Sequence, residues 1–370
     1  HNLSVDHHGF EVEMSAQRDR ARAGGSFAAD YDQDIKHDSD TEFTGYYTLN
    51  GSVEIIGLYK KGQPVESLEA GDEGVVILDQ TPFYAESGGQ VGDTGLIECG
   101  GAVFEVHDTQ KQGGKLFLHK GKVLQGTLVS GQACEVSVDA ETRKATERNH
   151  SATHLLHAAL RATLGEHVAQ KGSQVNAERL RFDFSHFEPM TAAEIAIIED
   201  MVNEQIRLNN PVAAEVMAKD EAMKAGAMAL FGEKYGDEVR VLKIGEFSTE
   251  LCGGTHVDRA GDIGLFKIVG ETGVAAGVRR LEAVTGKAAL DWILQHEKSL
   301  QSIAGLLKTS PDKAADKVQQ LLEKNRTLEK ELEKLQAKLA SSAGDEMTGQ
   351  AVDVNGVKVL AVKLDDVDPK

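Results

Sequence analysis

The sequence predicts an α+β protein of several domains: a small β-barrel, an α+β core with an antiparallel sheet, and a long antiparallel helical hairpin. Three observations lead to this prediction. Residues 41–140 contain short β-branched runs separated by turns, with 17 glycines. Residues 141–285 mix helical and strand-like patterns. From residue 286 onward, apolar residues recur at helical spacing.

Length and composition narrow the class of protein. The chain has 370 residues, which is enough for about two to four domains, and no apolar run approaches the ~20 residues that cross a bilayer. Its three cysteines, an odd number, argue against a disulfide framework and favour a reducing, cytoplasmic setting. Because the chain starts with His1-Asn2-Leu3 rather than Met, we expect a fragment of a longer protein.

The sequence pattern predicts the helices and strands of each segment in turn. Residues 1–40 combine a short helical stretch with a polar segment, and the barrel strands are expected at runs such as Val53–Ile56, Val75–Leu78 and Val103–Val106. In the core, the pattern predicts a helix from about residue 141 to Gly165, further helices at Thr191–Leu208 and Asp220–Leu230, and strands at Ala213–Val216, Val239–Ile244 and Gly264–Val269.

The last hundred residues predict two amphipathic helices separated by Ser310-Pro311. The second carries a heptad seam at Val318, Asn325, Leu332 and Leu339, with Leu321, Leu328 and Leu335 at the other core phase. Since Pro311 lets the chain reverse, we prefer an antiparallel hairpin to a parallel intermolecular coiled coil. Residues 352–362 alternate like a β-hairpin that starts a further domain.

The net charge of −19 is unfavourable for binding a polyanion. Residues 141–181 depart from it, with seven basic side chains against four acidic ones, a local net charge of +3. A small basic face on an acidic body and ordinary solvated helix charges both explain this segment.

Two short motifs contain residues that bind metals. In His150-Ser-Ala-Thr-His154, helical geometry brings both imidazoles to one side of the helix, although His157 offers a competing pair with His154. In Cys252-Gly-Gly-Thr-His256, two glycines allow a tight turn that lets a thiolate and an imidazole face one point. Together the two motifs suit Zn²⁺. Separately, they are equally well explained by exposed histidines and a buried free cysteine.

Other catalytic motifs are missing from the sequence. The position of the catalytic glutamate in HExxH proteases holds Ser151, which disfavours a zinc peptidase. No P-loop and no convincing GxGxxG motif indicates a nucleotide site. The Gly-rich segment 84–93 predicts either a simple hairpin loop or a backbone surface approached by an RNA end.

The motifs resemble one family, alanyl-tRNA synthetase, and specifically its editing half. The stretches that carry the resemblance span most of residues 81–286 in order: TPFYAESGGQVGDTG (81–95), RNHSATHLLHAAL (148–160), HVAQKGSQV (167–175), RFDFSH (181–186), ELCGGTHVDRAGDIGLFKI (250–268) and GVRRLEAVTG (277–286).

The resemblance implies a domain for each segment. Residues 1–40 would be the end of the tRNA-recognition helical domain, 41–140 the β-barrel, 141–285 the editing domain, 286–343 the helical hairpin and 344–370 the start of a truncated C-terminal domain. The aminoacylation domain finds no counterpart, so we expect neither alanine activation nor ATP use. The missing C-terminal region would support a homodimer in the full-length chain.

The resemblance also implies the activity: hydrolysis of the ester in tRNA for alanine mischarged with serine or glycine. One zinc ion per chain would either activate a water or hold the substrate while Gln170 positions water, and we prefer the second route. The alternatives are a tRNA-binding module with structural zinc and a freestanding deacylase. The implied site residues are His150, His154, Cys252 and His256 as zinc ligands, Gln170 and Thr153 as catalytic residues, and Gly88, Gly89, Arg148, Lys171, Arg279 and Arg280 at the tRNA.

Overall fold

The computed structural model describes residues 9, 14, 35, 37, 39–228, 236–349 and 351–361, without the side chains of 340 and 343–349. It divides into two units, His1–Asp291 and Trp292–Lys370. The described residues form a mixed α+β structure, as predicted. Most of the segment predicted to end a tRNA-recognition domain, residues 1–40, lies outside the described residues.

The first unit begins with a closed barrel of six antiparallel strands, which confirms the predicted barrel. The strands of this region are β1 (Glu42–Phe43), β2 (Asn50–Lys60), β3 (Gln63–Pro64), β4 (Ser67–Glu69), β5 (Glu73–Leu78), β6 (Gln80–Thr81), β7 (Gly95–Cys99), β8 (Ala102–Gln112), β9 (Leu116–Gln125), β10 (Thr127–Val129) and β11 (Ala133–Val138). In space the barrel order is β2, β5, β9, β8, β7, β11 and back to β2. Glycine pairs with positive φ make the tight turns from β7 to β8 (Gly100 and Gly101) and from β8 to β9 (Gly113 and Gly114).

One sequence-based expectation is corrected inside the barrel. Cys99 at the end of β7 and Cys134 on β11 form a disulfide, with Cα atoms 4.3 Å apart. The two strands are direct antiparallel neighbours, so their pairing places the two sulfurs side by side among the buried residues of the barrel. A cysteine count cannot reveal such a pairing, because it depends on which strands become neighbours.

The α+β core follows the barrel directly. Helix α1 (Ala140–Leu164) starts at Asp139, whose carboxylate accepts hydrogen bonds from two backbone N–H groups of the first turn, and it ends at Gly165. Its apolar stripe, including Leu155 and Leu156, is fully buried with Phe182 of a four-stranded antiparallel sheet. The sheet order is β12 (Gln170–Val175), β13 (Leu180–Ser185), β18 (Val278–Thr285) and β17 (Phe266–Ala275).

The remaining core elements agree closely with the predicted ones. Helix α2 (Ala192–Leu208) starts with a capping box at Thr191 and ends at Asn209 in the left-handed conformation. The predicted helix at 220–230 is a short α3 (Lys219–Lys224), and residues 229–235 lie outside the described residues. A second antiparallel sheet contains β14 (Val212–Ala218), β15 (Glu238–Ile244) and β16 (Ser248–Leu251), and a 3₁₀-helix covers Ala260–Ile263.

A buried arginine ties the core to the barrel. Arg143 of α1 is fully buried and pairs with Asp93 of the loop after β6, while its other nitrogens donate to the carbonyls of Gly45 (2.9 Å) and Pro82 (2.8 Å). Because each polar atom would be costly to leave unpaired, this network fixes α1 against the barrel loops.

The second unit contains most of helix α4 (Gly286–Leu306), a 3₁₀-helix (Pro311–Lys313), α5 (Ala314–Gly349) and a hairpin of β19 (Val352–Val354) and β20 (Val357–Val359). The two helices and the β-hairpin confirm the predicted elements. The predicted packed seam is not seen, since its leucines are exposed: Leu321, Leu328, Leu332, Leu335 and Leu339. A heptad pattern shows which face needs a partner without showing what covers it.

No helix within the described part of the chain is both long and apolar enough to cross a lipid bilayer.

Candidate metal centre

Helix α1 places the first two candidate ligands one turn apart. The rings of His150 and His154 lie 5.2 Å apart between centroids, and both side chains are buried. The helical spacing therefore produces the shared direction that the sequence predicts.

The loop after β16 brings the other two candidates to the same point. Cys252 Sγ lies 3.5 Å from Nε2 of His150 and 3.3 Å from Nε2 of His256. A glycine is required at 254, since a Cβ there would lie 2.2 Å from the His150 ring. One ligand atom from each of the four residues falls within 4.8 Å of the others.

The outer nitrogen of each histidine is held by a second group. Nδ1 of His150 donates to Gln90 Oε1 (2.8 Å), and Nδ1 of His154 donates to Glu250 Oε2 (2.8 Å). Nδ1 of His256 lies 3.3 Å from Ser151 Oγ. With Nδ1 occupied in each ring, the Nε2 atoms are left for a ligand, as in metal sites whose outer partners set the tautomer.

These residues fit a zinc ion. Nε2 of His154 is buried without a hydrogen-bond partner among the described residues, as expected of an atom that ligates a metal. Bonds of ~2.0 to 2.3 Å in a tetrahedron would separate neighbouring ligand atoms by roughly 3.3 to 3.6 Å. The two sulfur–nitrogen distances, 3.5 and 3.3 Å, agree with this separation.

The Cys252–His256 loop is fixed from its outer side by two further side chains. Arg240 on β15 donates from Nη1 to the carbonyls of Cys252 (3.0 Å) and Gly254 (2.9 Å). The hydroxyl of Tyr46 donates to the carbonyl of Gly253 (2.6 Å), and the Arg240 guanidinium lies 4.2 Å from the Tyr46 ring centre. Three consecutive carbonyls therefore point away from the cluster.

Burial and neighbouring charges shift the pKa values of the cluster residues in opposite directions. Burial lowers the pKa of His154, but the Glu250 carboxylate and Cys252 outweigh burial and raise that pKa to about 10. Burial raises the pKa of Cys252, yet the imidazoles of His150 and His256 lower it well below its usual value. The resulting thiolate is the form of cysteine that binds metals.

His157, the competing histidine, has a different place. Its Nδ1 donates to the second oxygen of Glu250 (3.0 Å), and its ring lies against Phe182, with 5.2 Å between centroids. It does not join the four-residue group. Glu250 thus links His157 to the outer side of His154.

A cleft of about 1000 Å³ lies beside the cluster, and His150 and Cys252 form part of its wall. The barrel contributes an aromatic wall, in which Phe43 and Phe117 stack at 5.6 Å, with Lys111 over the Phe117 ring. The volume is of the size that binds a small ligand or the end of a larger one. The cluster is therefore accessible from the cleft.

The predicted Gly-rich segment forms a tight turn. Gly88 and Gly89 both have positive φ values, 58° and 88°, and Ser87 and Gln90 pair on either side of them. This confirms the hairpin interpretation. Gly88 lines the cleft, while Gly89 packs so closely on Ser173 that a Cβ would lie 2.5 Å from its carbonyl oxygen. A role at an RNA end stays a prediction.

The two predicted catalytic residues do not belong to the cluster. Gln170 is half-buried at the start of β12. Thr153 is buried, and its hydroxyl donates to the carbonyl of Asn149 one turn earlier. Neither is among the described residues that line the cleft.

The four predicted basic contacts to tRNA are spread over the core. Arg279 pairs with Glu271, and Arg280 makes two hydrogen bonds to Asp183, so these two charges are compensated within the chain. Of the other two, Arg148 is half-buried on α1 and Lys171 is exposed on β12.

Sequence reasoning missed the supporting residues Gln90, Glu250, Arg240 and Tyr46. Two of them stand next to motifs already noticed, Gln90 after the glycine pair and Glu250 two positions before Cys252. That position was a usable signal, because ligating histidines usually need an acceptor for their second nitrogen. Arg240 and Tyr46 carry no such signal.

With this geometry established, comparison with known proteins shows what the chain resembles. It is similar along its whole length to alanine–tRNA ligases. The enzyme of Methylococcus capsulatus is 59% identical over 361 residues, covering 98% of this chain and 42% of the relative. Those of Pseudomonas fluorescens and Pseudomonas syringae pv. tomato are 58% and 59% identical over 370 residues, again 42% of each relative. The chain thus spans less than half the length of these ligases.

Two family models match separate parts of the chain. The model described as "Threonyl and Alanyl tRNA synthetase second additional domain" matches residues 239–282, which include Cys252 and His256. The model described as "tRNA synthetases class II (A)" matches residues 1–142. This second match corrects the expectation that the chain has no counterpart of the aminoacylation part. That expectation rested on a resemblance whose motifs all lie within residues 81–286, whereas this match begins at residue 1.

Proposed function

We propose that this chain is the editing part of an alanyl-tRNA synthetase and hydrolyses the ester of tRNA for alanine that carries serine or glycine. The observation that carries the proposal is the convergence of His150, His154, Cys252 and His256 beside an open cleft. The similarity to alanine–tRNA ligases supports the choice of tRNA as partner. The barrel at 41–140 and the core at 141–285 would form the editing unit.

The four residues would hold one zinc ion per chain. When bound there, zinc would supply a positive charge able to polarise an ester carbonyl or orient water. The protein's part is to hold the ligands rigidly, through Gln90, Glu250 and Ser151 on the outer nitrogens. Gln170 and Thr153 are proposed as catalytic residues, Gln170 by orienting water, and neither lines the cleft in the described part of the chain.

A polar pocket would explain why the site hydrolyses the seryl ester and spares the alanyl ester. A pocket that hydrogen-bonds a seryl hydroxyl leaves polar groups unpaired when alanine enters, and such a mismatch discriminates strongly. The wall of the cleft beside Cys252 contains the backbone of Gly253 and Gly254 and the side chain of Arg240, and polar groups there would serve this role. Selection of glycine needs a steric limit instead.

A tRNA-binding module with structural zinc is the second candidate. The observation that favours it is the four-residue ligand set, since four protein ligands complete a tetrahedral shell and leave no open position. This candidate shares the metal and the RNA partner with the first. It differs in predicting no ester hydrolysis.

Deacylation of seryl-tRNA, measured beside zinc content, separates the candidates. We expect wild type to release serine, and Cys252→Ala and His150→Ala to lose both zinc and activity. His107→Ala is the matched control, because this exposed barrel histidine pairs only with Glu105 among the described residues. Zinc-loaded wild type without activity would favour the binding module, and full activity in Cys252→Ala would overturn the site.

Three further parts of the proposal concern partners and location. tRNA would approach through basic side chains that include Arg148, Lys171, Arg279 and Arg280, of which Arg279 and Arg280 also form ion pairs within the chain. The exposed leucines of α5 are compatible with dimer formation in a longer chain. A cytoplasmic location stays a prediction. The Cys99–Cys134 disulfide removes the argument for it that was based on unpaired cysteines.

A further inference from the structure

Gln90 enters the metal centre from the barrel region, at the end of the Ser87–Gln90 turn. Two positive-φ glycines make this turn, and Ser87 and Gln90 exchange backbone hydrogen bonds of 3.2 and 3.0 Å. Strand β12 holds the turn on its other side, because the Val175 N–H donates to the Gly89 carbonyl (2.7 Å) and the Val175 carbonyl accepts from the Val91 N–H (3.0 Å). The backbone of Gln90 is thus fixed from both sides.

The side chain of Gln90 is fully buried and makes three hydrogen bonds. Its Oε1 accepts from Nδ1 of His150 (2.8 Å) and from the backbone N–H of Thr255 (3.0 Å). Its Nε2 donates to the hydroxyl of Thr255 (2.8 Å). A flipped amide would point N–H groups at two donors, so the orientation of the amide is determined by its partners.

We propose that Gln90 is a positioning residue: it holds the histidine pair of α1 and the Cys252–His256 loop at the distance that metal binding requires. An amide oxygen only accepts, so it selects the His150 form with a proton on Nδ1 and a lone pair on Nε2. Thr255 lies between Cys252 and His256, so the same amide also restrains the loop that carries the other two ligands. This inference rests on the proposed metal centre.

The consequence is that the barrel region completes a site whose ligands all lie in the core. Gln90 is 60 residues from His150 and 165 from Thr255 along the chain. Since outer partners of ligating histidines orient the ring and raise its basicity, losing such a partner typically costs 10- to 100-fold in metal affinity.

The test is zinc affinity, measured on the full chain by competition with a chromophoric chelator. Gln90→Met keeps the length of the side chain but removes its hydrogen bonds, and we expect its affinity to fall about 10- to 100-fold. Gln90→Glu retains two accepting oxygens for His150 and Thr255, and it should bind zinc within a few-fold of wild type. Gln125→Met, on an exposed glutamine at the end of β9, is the control.

The outcomes separate this inference from the metal centre itself. Unchanged affinity in Gln90→Met overturns the positioning role, and so does an equal loss in Gln90→Met and Gln90→Glu, which would indicate packing alone. Wild type without zinc affinity would refute the metal centre instead. Independently of any variant, ¹H–¹⁵N spectra of the zinc-loaded wild type should show His150 protonated at Nδ1, and coordination through Nδ1 would contradict the role.

Discussion

At the scale of single residues, Gly254 is the glycine of the Cys252–His256 loop that has no room for a side chain. A Cβ there would lie 2.2 Å from Cε1 of His150 and 2.8 Å from Oε1 of Gln90. The neighbouring Gly253 is different, because a Cβ at that position meets no heavy atom within 4 Å. The two glycines of one motif therefore have different reasons to be glycine.

We predict that Gly254→Ala lowers zinc affinity by about tenfold or more, since either His150 or the loop must move away from the shared point. Gly253→Ala is the matched control and should bind zinc as wild type does. Chelator competition on both variants measures the effect. Equal affinities in the two variants would mean that the loop accommodates the methyl group without moving its ligands.

A second residue, His119, makes the barrel sensitive to acid. Its fully buried ring lies between Thr81 Oγ1 (2.8 Å) and the carbonyl of Val76 (2.9 Å), and burial lowers its pKa to about 4. The folded-state pKa lies below the unfolded value of about 6.5. The contribution of neutral His119 to the free energy of unfolding is therefore complete at neutral pH and is lost as the pH falls from about 6.5 toward 4.

We predict that this one group costs about 2 kcal/mol of unfolding free energy between pH 7 and pH 5. The measurement is urea unfolding followed by circular dichroism at both pH values, for wild type and His119→Gln. The variant should lose less stability than wild type over this interval, whatever its stability at pH 7. Parallel losses in both proteins would show that His119 is not buried as described.

The candidate ligands could be predicted from sequence because local geometry brings them together in pairs. His150 and His154 share a helical turn, and Cys252 and His256 share a glycine turn. Their supporting residues could not, since Gln90 and Glu250 reach these histidines across 60 and 96 residues of chain. Only the tertiary fold specifies such contacts.

At the scale of elements, the helices were the most predictable part of the fold. Helix α2 carries a capping box at Thr191 and a left-handed Asn209 at its end, and both signals are visible in the sequence. The Cys99–Cys134 disulfide could not be predicted in this way, because it requires knowing that β7 and β11 are neighbours and a local sequence pattern does not show which strands pair. The exposed seam of α5 shows the same limit, since periodicity identifies a face but not its partner.

We predict that a chain truncated after residue 344 deacylates a short seryl acceptor-stem mimic with kcat/KM unchanged. The reason is that the described cluster and cleft consist of residues from the first unit alone. Initial rates of serine release, compared with those of the full chain, measure this. An inactive truncated chain that still binds zinc would show that the second unit contributes to the site.

At the scale of the whole molecule, the proposed function requires an acidic chain to bind a polyanion. The net charge is −19, and residues 141–181 carry a local excess of three positive charges. Several basic side chains of the core are already paired within the chain, among them Arg279, Arg280 and Lys267. We therefore expect few phosphate contacts.

We predict that tRNA affinity falls as salt rises, with a slope of about −3 in a plot of log K against log salt, because each phosphate contact releases counterions. Fluorescence anisotropy of labelled tRNA over a range of KCl concentrations measures the slope. A charge-removing Lys171→Ala should make the slope shallower. Affinity independent of salt would remove the proposed basic face.

In the proposed metal centre, three imidazoles and one thiolate from distant parts of the chain enclose a single zinc ion. X-ray absorption spectroscopy of the zinc-loaded chain observes these ligands directly. We expect three nitrogen ligands at ~2.0 to 2.1 Å and one sulfur at ~2.3 Å, with one zinc per chain. A first shell that contains no sulfur, or a chain that takes up no zinc, would contradict it.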